Sequence, residues 1–200
     1  MTNRREFIQR GVALSAAAPL AIGPTLGLAA QARPRLRPTL AVYDRGYAEG
    51  LLFARSVEAH GIATHAIDGD VTALWYDTLY HSWNAGASPI VGLTGASALF
   101  CLEQLAWKVE RRVVLRTEHR QRDDGRIDHQ LSGAAAPPGL LAGLDKVAWP
   151  LWSAAAIRQL PATLRRADAF RAHAITSASA GSKPWEEPLI TWAITVKPLA

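Results

Sequence analysis

Short apolar runs and helical apolar stripes alternate along the first half of this 200-residue chain. Four of the runs are bounded by charges, glycines or turn residues, which is typical of buried strands. They cover residues 39–44, 62–68, 90–93 and 113–119. Between the runs, apolar residues recur three or four positions apart, which predicts helices that pack one face against a sheet. These helices cover residues 49–60, 70–83 and 94–106.

The pattern changes in the second half of the chain. Residues 120–131 predict a hairpin around an Asp-Gly pair at 124–125, which is favoured in two-residue turns. Residues 154–171 are helical in composition, and Pro161 is expected to break the helix. The run 189–196 is rich in β-branched residues and predicts a late strand.

Alternating strands and helices predict an α/β fold, in which helices cover the faces of a sheet. We expect a Rossmann-like or flavodoxin-like layered open sheet, with the hairpin as an antiparallel extension. The residues after position 32 suit one domain with a substantial core. We therefore expect a Pro-Arg linker at 33–38 and a single α/β domain at 39–200, without internal repeats.

The predicted hairpin decides whether two histidines could share a metal ion. A two-residue turn at 124–125 places Arg120 opposite His129, and His119 opposite Gln130. The two histidines would then lie on opposite faces of the ribbon, unless a bulge shifts the register. The other four histidines show no ligand-like spacing, so no metal site is predicted.

The first thirty-two residues differ in composition from the rest of the chain. A paired arginine at 4–5 precedes an apolar pair at 7–8, and a mildly apolar run follows at 11–30. This run contains two prolines and three glycines, which weaken a helix, so a permanent membrane span is not expected. The small-x-small sequence at 30–32 is typical of a cleavage site.

These features resemble the signal peptide of the twin-arginine (Tat) pathway, which carries folded proteins across the bacterial inner membrane. The resemblance implies that residues 1–32 are cleaved near Ala32 and that the Tat translocase is a partner during export. It also implies that the mature domain is periplasmic. Tat substrates travel folded, usually because a cofactor or a partner protein is loaded first. A cofactor or a co-exported partner is therefore expected, although neither is identified.

Charge and cysteine content exclude several classes of protein. Without residues 1–32, the chain loses three arginines and one glutamate and keeps 19 Lys+Arg against 16 Asp+Glu. So small a surplus is not that of a nucleic-acid-binding protein. Cys101 is the only cysteine, which excludes an intramolecular disulfide and a Cys-rich cluster within the chain. It lies in the apolar segment 98–102 and is expected to be buried.

Ligands of open α/β sheets bind beyond the carboxyl ends of the strands, where the strand order reverses. Two segments at this edge carry suitable residues, one after the first strand and one between the third strand and its helix. The residues are Asp44, Arg45, Gly46, Gly92, Thr94, Gly95 and Ser97. Small residues at a helix N-terminus expose N–H groups, which predicts an anion or cofactor site. Alternatively, Thr94 caps the helix and the glycines permit tight packing.

Known nucleotide and nucleophile motifs do not identify a cofactor or a reaction. The chain contains neither G-x-G-x-x-G nor G-x-x-x-x-G-K-[ST], so a nucleotide cofactor is unsupported. It also lacks the G-x-S-x-G elbow of α/β-hydrolases. The cofactor and the catalytic residues therefore remain unassigned at this stage.

Aromatic residues crowd the predicted helix at 70–83. They are Trp75, Tyr76, Tyr80 and Trp83. Their spacing suits core packing, but seven tryptophans exceed what packing alone usually requires in a chain of this size. This helix is therefore a candidate face for a partner or an apolar ligand.

These patterns predict a Tat-exported periplasmic α/β protein that binds a ligand or serves as an accessory to a partner. The ligand or cofactor would lie at the carboxyl edge of the strands. An alternative is a periplasmic enzyme, a hydrolase or an oxidoreductase component, that uses Asp44, Ser97 or His119 at this edge. A third is a co-exported subunit whose role lies at an interface.

Overall fold

The computed structural model describes residues 37–85, 88–136, 138–144, 146–164, 171–177 and 184–196. The expected signal peptide at 1–32 and most of the expected linker at 33–38 lie outside these residues. Among the described helices, none combines the length and the apolar character needed to cross a bilayer.

The described chain forms seven strands and several helices. The strands are β1 Leu40–Asp44, β2 Ala63–Ile67, β3 Ile90–Gly95, β4 Arg111–Gln121, β5 Ile127–Gly133, β6 Arg171–Ser177 and β7 Leu189–Val196. The α-helices are α1 Ala48–Glu58, α2 Thr72–Leu74, α3 Tyr80–Asn84, α4 Ala96–Trp107 and α5 Trp149–Leu164. A π-helical turn, Trp75–Leu79, joins α2 to α3, and Pro138–Gly143 is a 3-10 helix.

All seven strands form one sheet in the order β2-β1-β3-β7-β4-β5-β6. The first three strands are parallel, whereas β7 pairs antiparallel with both β3 and β4. The β4–β5 and β5–β6 pairs are also antiparallel. The mixed α/β class is therefore confirmed, and the last strand of the chain lies in the middle of the sheet.

Helices cover both faces of the central strands, because those strands are apolar on both sides. Helices α1 and α5 pack on one face, where Phe53 and Ile157 are fully buried with Leu131. The segment α2–α3 and helix α4 pack on the other face, around Trp192 and Leu102. The carboxyl ends of β1 and β3 thus emerge between two helical layers.

Two elements of the second half differ from the sequence-based expectation. Helix α5 begins at Trp149 and continues through Pro161 to Leu164. A proline in the last turn removes one backbone hydrogen bond, and burial of the apolar face of the helix compensates for it. The strand β6 was not predicted, because its residues alternate between half-buried and exposed positions at one edge of the sheet.

The predicted hairpin register was wrong by one residue. His119 lies directly opposite His129, and Arg122 pairs with Arg126 through a backbone hydrogen bond of 2.8 Å. The loop therefore has three residues, and its last residue, Gly125, adopts a φ of 78°. A type I turn followed by a left-handed residue produces this loop. The two histidines consequently point to the same face of the sheet.

The predicted burial of Cys101 was also wrong, because this thiol is exposed. Helix α4 buries Ala98, Leu99, Leu102 and Ala106 against the sheet. Residue 101 lies beside the buried face of the helix and not on it, since successive residues are separated by about 100°. An apolar helix with an exposed outer face accounts for the error.

Candidate functional site

A cavity of about 460 Å³ opens beside the carboxyl end of β1, where the sequence predicted a ligand. It is lined by Asp44, Gly46, Tyr47, Ala48, Glu49, Asp68, Gly69, Pro184, Trp185, Glu186 and Glu187. Five of these residues carry carboxylates, and none is basic. We call this space the acidic cavity.

Asp44 lies at the base of the acidic cavity as the last residue of β1. It is 4% exposed, and its Oδ1 accepts a hydrogen bond of 2.9 Å from the Gly46 N–H. Burial raises the pKa of Asp44, and the charges of Asp68 and Glu187 raise it further, against hydrogen bonds from Gly46 and Gly69 that lower it. A cation in the cavity would favour the ionised form.

Glu49 contributes a second carboxylate from the first turn of α1. The residue is 7% exposed and lines the acidic cavity. Its carboxylate adds to the negative charge of the cavity, and a cationic donor that entered the cavity would meet it.

Aromatic groups complete the wall of the acidic cavity. Burial raises the pKa of the Tyr47 hydroxyl, and the neighbouring charges of Glu187, Asp44 and Glu186 raise it further. Trp185 also lines the cavity, and its indole lies edge-on to Trp149 at 5.5 Å between ring centroids. The cavity therefore combines negative charge with aromatic surface.

Arg45 takes no part in the lining of the acidic cavity. Its Nη2 lies 3.0 Å from Asp68 Oδ2, and both side chains are more than half exposed. The pair is screened by solvent and lies at the rim. Arg45 offsets part of the charge of Asp68. The other four carboxylates have no basic residue beside them among the described residues of the lining.

The N-terminus of α4 holds a carboxylate of the chain itself. Glu187 Oε2 accepts a hydrogen bond of 2.8 Å from the Ser97 N–H, and its Oε1 accepts one of 2.7 Å from the Ser97 hydroxyl. The position expected for a bound anion is thus filled from the segment before β7. An added Cβ at Gly95 would lie 2.0 Å from Glu187 Oε1, so the glycine leaves room for this carboxylate at the helix N-terminus.

Gly92 and Thr94 face the opposite side of the sheet from α1 and contact Trp192. A Cβ at Gly92 would lie 2.4 Å from Cζ2 of this indole. The Trp192 Nε1–H donates to Thr94 Oγ1 at 3.1 Å, and both residues are fully buried. These two residues therefore serve packing, as in the alternative reading of this segment, while the helix N-cap is Gly95.

The four aromatic residues of the helical segment after β2 divide between core and surface. Trp75 and Trp83 are buried and meet edge-on at 6.0 Å. Tyr76 and Tyr80 are 65% and 48% exposed. Only the two tyrosines of this group are available to a partner or a ligand.

The residues considered for an enzyme at this edge are not brought together. Ser97 is hydrogen-bonded to Glu187, whereas His119 is fully buried on the α5 side and bonded to Thr191 and His129. Asp44 lies in the acidic cavity. Among the described residues, no group of three or more His, Cys, Asp or Glu side chains is placed to hold a metal ion.

The sequence pattern did not predict several residues of the acidic cavity, including Glu49 and Glu187. The segment 184–188 reads Pro-Trp-Glu-Glu-Pro, an acidic aromatic stretch between prolines directly before a strand. Such a stretch is typical of a loop, and binding residues often lie on loops. Its destination depends on β7 lying beside β3, a pairing between residues that are about a hundred positions apart.

Comparison with models of protein families, with curated proteins and with solved structures yields no match for this chain.

Proposed function

We propose that this chain is an exported binding protein that holds a small organic cation in the acidic cavity. The observation that carries the proposal is the lining itself, in which the described residues around about 460 Å³ include five carboxylates and no basic side chain. Ligand sites of proteins occupy clefts of this size.

The site lies where open α/β sheets bind their ligands. Strand β1 has β2 on one side and β3 on the other, so the chain changes direction across the sheet at this point. The order 2-1-3 also begins the flavodoxin-like arrangement, in which the ligand lies at the carboxyl ends of these strands. We propose a flavodoxin-like relation for this parallel half of the sheet only.

The charge of the cavity favours a cation over the anion that the sequence suggested. Glu187 already occupies the N-terminus of α4, so the helix dipole is satisfied within the chain. Asp44 and Glu49 also line the cavity, and their carboxylates are suited to a cationic donor.

The aromatic wall favours an amine or a quaternary ammonium group. Tyr47 and Trp185 both line the cavity, and aromatic faces attract organic cations through their quadrupoles. An inorganic ion gains less from such surfaces, because it retains a tightly held hydration shell.

Calorimetry at low ionic strength tests the proposal with choline, agmatine and spermidine as cations. Phosphate and succinate serve as anions, and Ca²⁺ as an inorganic cation. We expect an amine to bind and the anions not to bind. Glu49→Gln should weaken amine binding about tenfold, because one charge-assisted contact is lost. Affinity should also fall as the pH is lowered, since protonation of Asp44, whose pKa is raised, removes a negative charge.

Asp123→Asn is the matched control, because it removes a carboxylate that is exposed in the hairpin loop and does not line the cavity. Its amine affinity should equal that of the unmodified chain. Tighter binding of phosphate or Ca²⁺ than of every amine, or an unchanged affinity in Glu49→Gln, would contradict the proposal.

Export by the Tat pathway is a separate proposal, supported by the paired arginine at 4–5 and the small-x-small site at 30–32. Replacing Arg4 and Arg5 with lysines should retain the precursor in the cytoplasm. Fractionation followed by immunoblotting measures this, and undiminished periplasmic delivery would refute it.

A further inference from the structure

A continuous chain of polar side chains runs beneath α5, and none of its members lines the acidic cavity. Ser177 Oγ lies 2.7 Å from His129 Nε2, and His129 Nδ1 lies 2.6 Å from His119 Nδ1. His119 Nε2 then lies 2.9 Å from Thr191 Oγ1, which donates to Ser153 Oγ at 2.7 Å. Both histidines are almost fully buried, with 0% and 1% exposure.

The direction of the hydrogen bonds follows from the bond between Thr191 and Ser153. Burial lowers the pKa of both histidines, so each ring is neutral and carries one N–H. Thr191 donates its hydroxyl hydrogen to Ser153, and with this donation His119 Nε2 donates to Thr191. The bare Nδ1 of His119 accepts from His129 Nδ1–H, which leaves His129 Nε2 to accept the Ser177 hydroxyl proton.

This order of hydrogen bonds matches that of a serine nucleophile whose histidine base is held in one orientation by a second group. In Ser-His-Asp sites, the acid accepts the second imidazole N–H and holds the first histidine in the correct tautomer. Here a neutral imidazole, His119, accepts that bond. Trp149 stacks on the His119 ring at 4.1 Å between centroids, which further restricts its rotation.

Ser177 borders a groove that a substrate could enter. The groove has a volume of about 580 Å³. Its lining is mainly apolar and comprises Glu49, Leu52, Leu144, Lys146, Val147, Ala148, Trp149, Pro150, Thr176 and Ser177. Ser177 is half-buried at the end of β6 and lines the groove, and His129 lies directly behind its hydroxyl.

We propose that Ser177 and His129 form a second functional site that hydrolyses an ester whose apolar acyl group lies in this groove, with His119 as a positioning residue. Ser177 Oγ bonds to the ester carbonyl carbon as its proton passes to His129 Nε2. The bond to the alcohol then breaks, and the departing oxygen takes that proton. Water attacks the resulting acyl-serine, gives a proton to His129, and releases the acid as the proton returns to Ser177.

Labelling of the full chain with a fluorophosphonate probe, followed by peptide mapping, tests the nucleophile directly. We expect the label on Ser177 and hydrolysis of p-nitrophenyl butyrate. Ser177→Ala should abolish the label and lower hydrolysis by about 1,000-fold or more. Ser132→Ala is the control, since Ser132 lies on the neighbouring strand but is absent from the hydrogen-bonded chain and the groove lining.

His119→Asn tests the positioning role through the pH profile. The hydrolysis rate of the unmodified chain should fall as the pH approaches about 4, where His129 gains a proton. His119→Asn should lower the rate and move this acid limb, with the folded circular dichroism spectrum retained. An unlabelled Ser177 in the folded chain, a label on another residue, or full hydrolysis by Ser177→Ala would overturn the inference.

Discussion

At the residue scale, Gly92 in the middle of β3 is a position with no room for a side chain. An added Cβ would lie 2.4 Å from the Trp192 ring and 2.7 Å from the carbonyl oxygen of Val42. Neither neighbour can move easily, because the ring is fully buried and hydrogen-bonded to Thr94, and Val42 lies within β1. Gly92 thus leaves the space on β3 that the Trp192 ring, the largest fully buried side chain, occupies.

Gly92→Ala should lower the free energy of unfolding by about 1–3 kcal/mol, because one methyl group overpacks a rigid part of the core. Urea unfolding followed by tryptophan fluorescence measures the change. Gly139→Ala is the control, since nothing lies within 4 Å of a Cβ at that position. Equal stability of the two variants would show that the core around Trp192 can relax.

At the element scale, helix α4 depends on a distant segment for its first turn. Its N-cap is Gly95, which has no side chain to accept a hydrogen bond. Glu187 accepts from the Ser97 N–H, and the Pro188 carbonyl accepts from the Ala96 N–H at 3.0 Å. The segment before β7 therefore performs the capping that Ser, Thr or Asp usually provides locally.

Glu187→Ala should destabilise the fold by about 0.5–2 kcal/mol, the usual cost of losing a helix cap. Its neighbour provides the comparison, because Glu186 is exposed and makes no hydrogen bond within the described residues. Glu186→Ala should leave the free energy of urea unfolding unchanged. A similar loss in both variants would mean that the loss reflects the charge of this segment and not the cap.

At the scale of the whole molecule, the fold buries titratable groups inside one of its two cores. His119 and His129 lie between the sheet and α5, in contact with the largest apolar cluster of this face. Burial lowers the pKa of His129 from 6.5 to about 4. Folding therefore requires this ring to be neutral, which couples global stability to pH.

The free energy of unfolding should fall as the pH is lowered from about 6.5 to about 4. Over this range the unfolded chain binds a proton at His129 while the folded chain does not. The contribution is roughly 3 kcal/mol, at about 1.4 kcal/mol per pKa unit. Chemical unfolding between pH 4 and 7.5 measures it.

His129→Gln should reduce the slope and leave the part that His119 contributes, because burial lowers the pKa of His119 as well. His81→Gln, which alters an exposed ring, should leave the slope unchanged. The slopes are compared and not the absolute stabilities, because Gln cannot reproduce both hydrogen bonds of the buried ring. A slope that is the same in His129→Gln and in the unmodified chain would assign the pH dependence to other groups.

Local patterns predicted much of the fold, because strands and helices here follow their hydrophobic periods. The strand at 189–196 and the segment near 39–44 are confirmed, and α1 and α4 lie within a few residues of the expected bounds. The hairpin register was wrong, because Asp-Gly pairs occur in three-residue loops as well as in two-residue ones. This one-residue shift in register decided whether the side chains of His119 and His129 lie on the same face of the sheet.

The chain by itself determined most of the elements, the mixed α/β class and the edge beyond β1 where a cavity forms, since these depend on neighbouring residues and their spacing. Only the tertiary structure decided the charge of that cavity and the pairing of the histidines. Both follow from contacts between strands far apart in the chain. Because β7 lies between β3 and β4 in the centre of the sheet, Glu187 reaches the N-terminus of α4 and Thr191 lies within hydrogen-bond distance of His119.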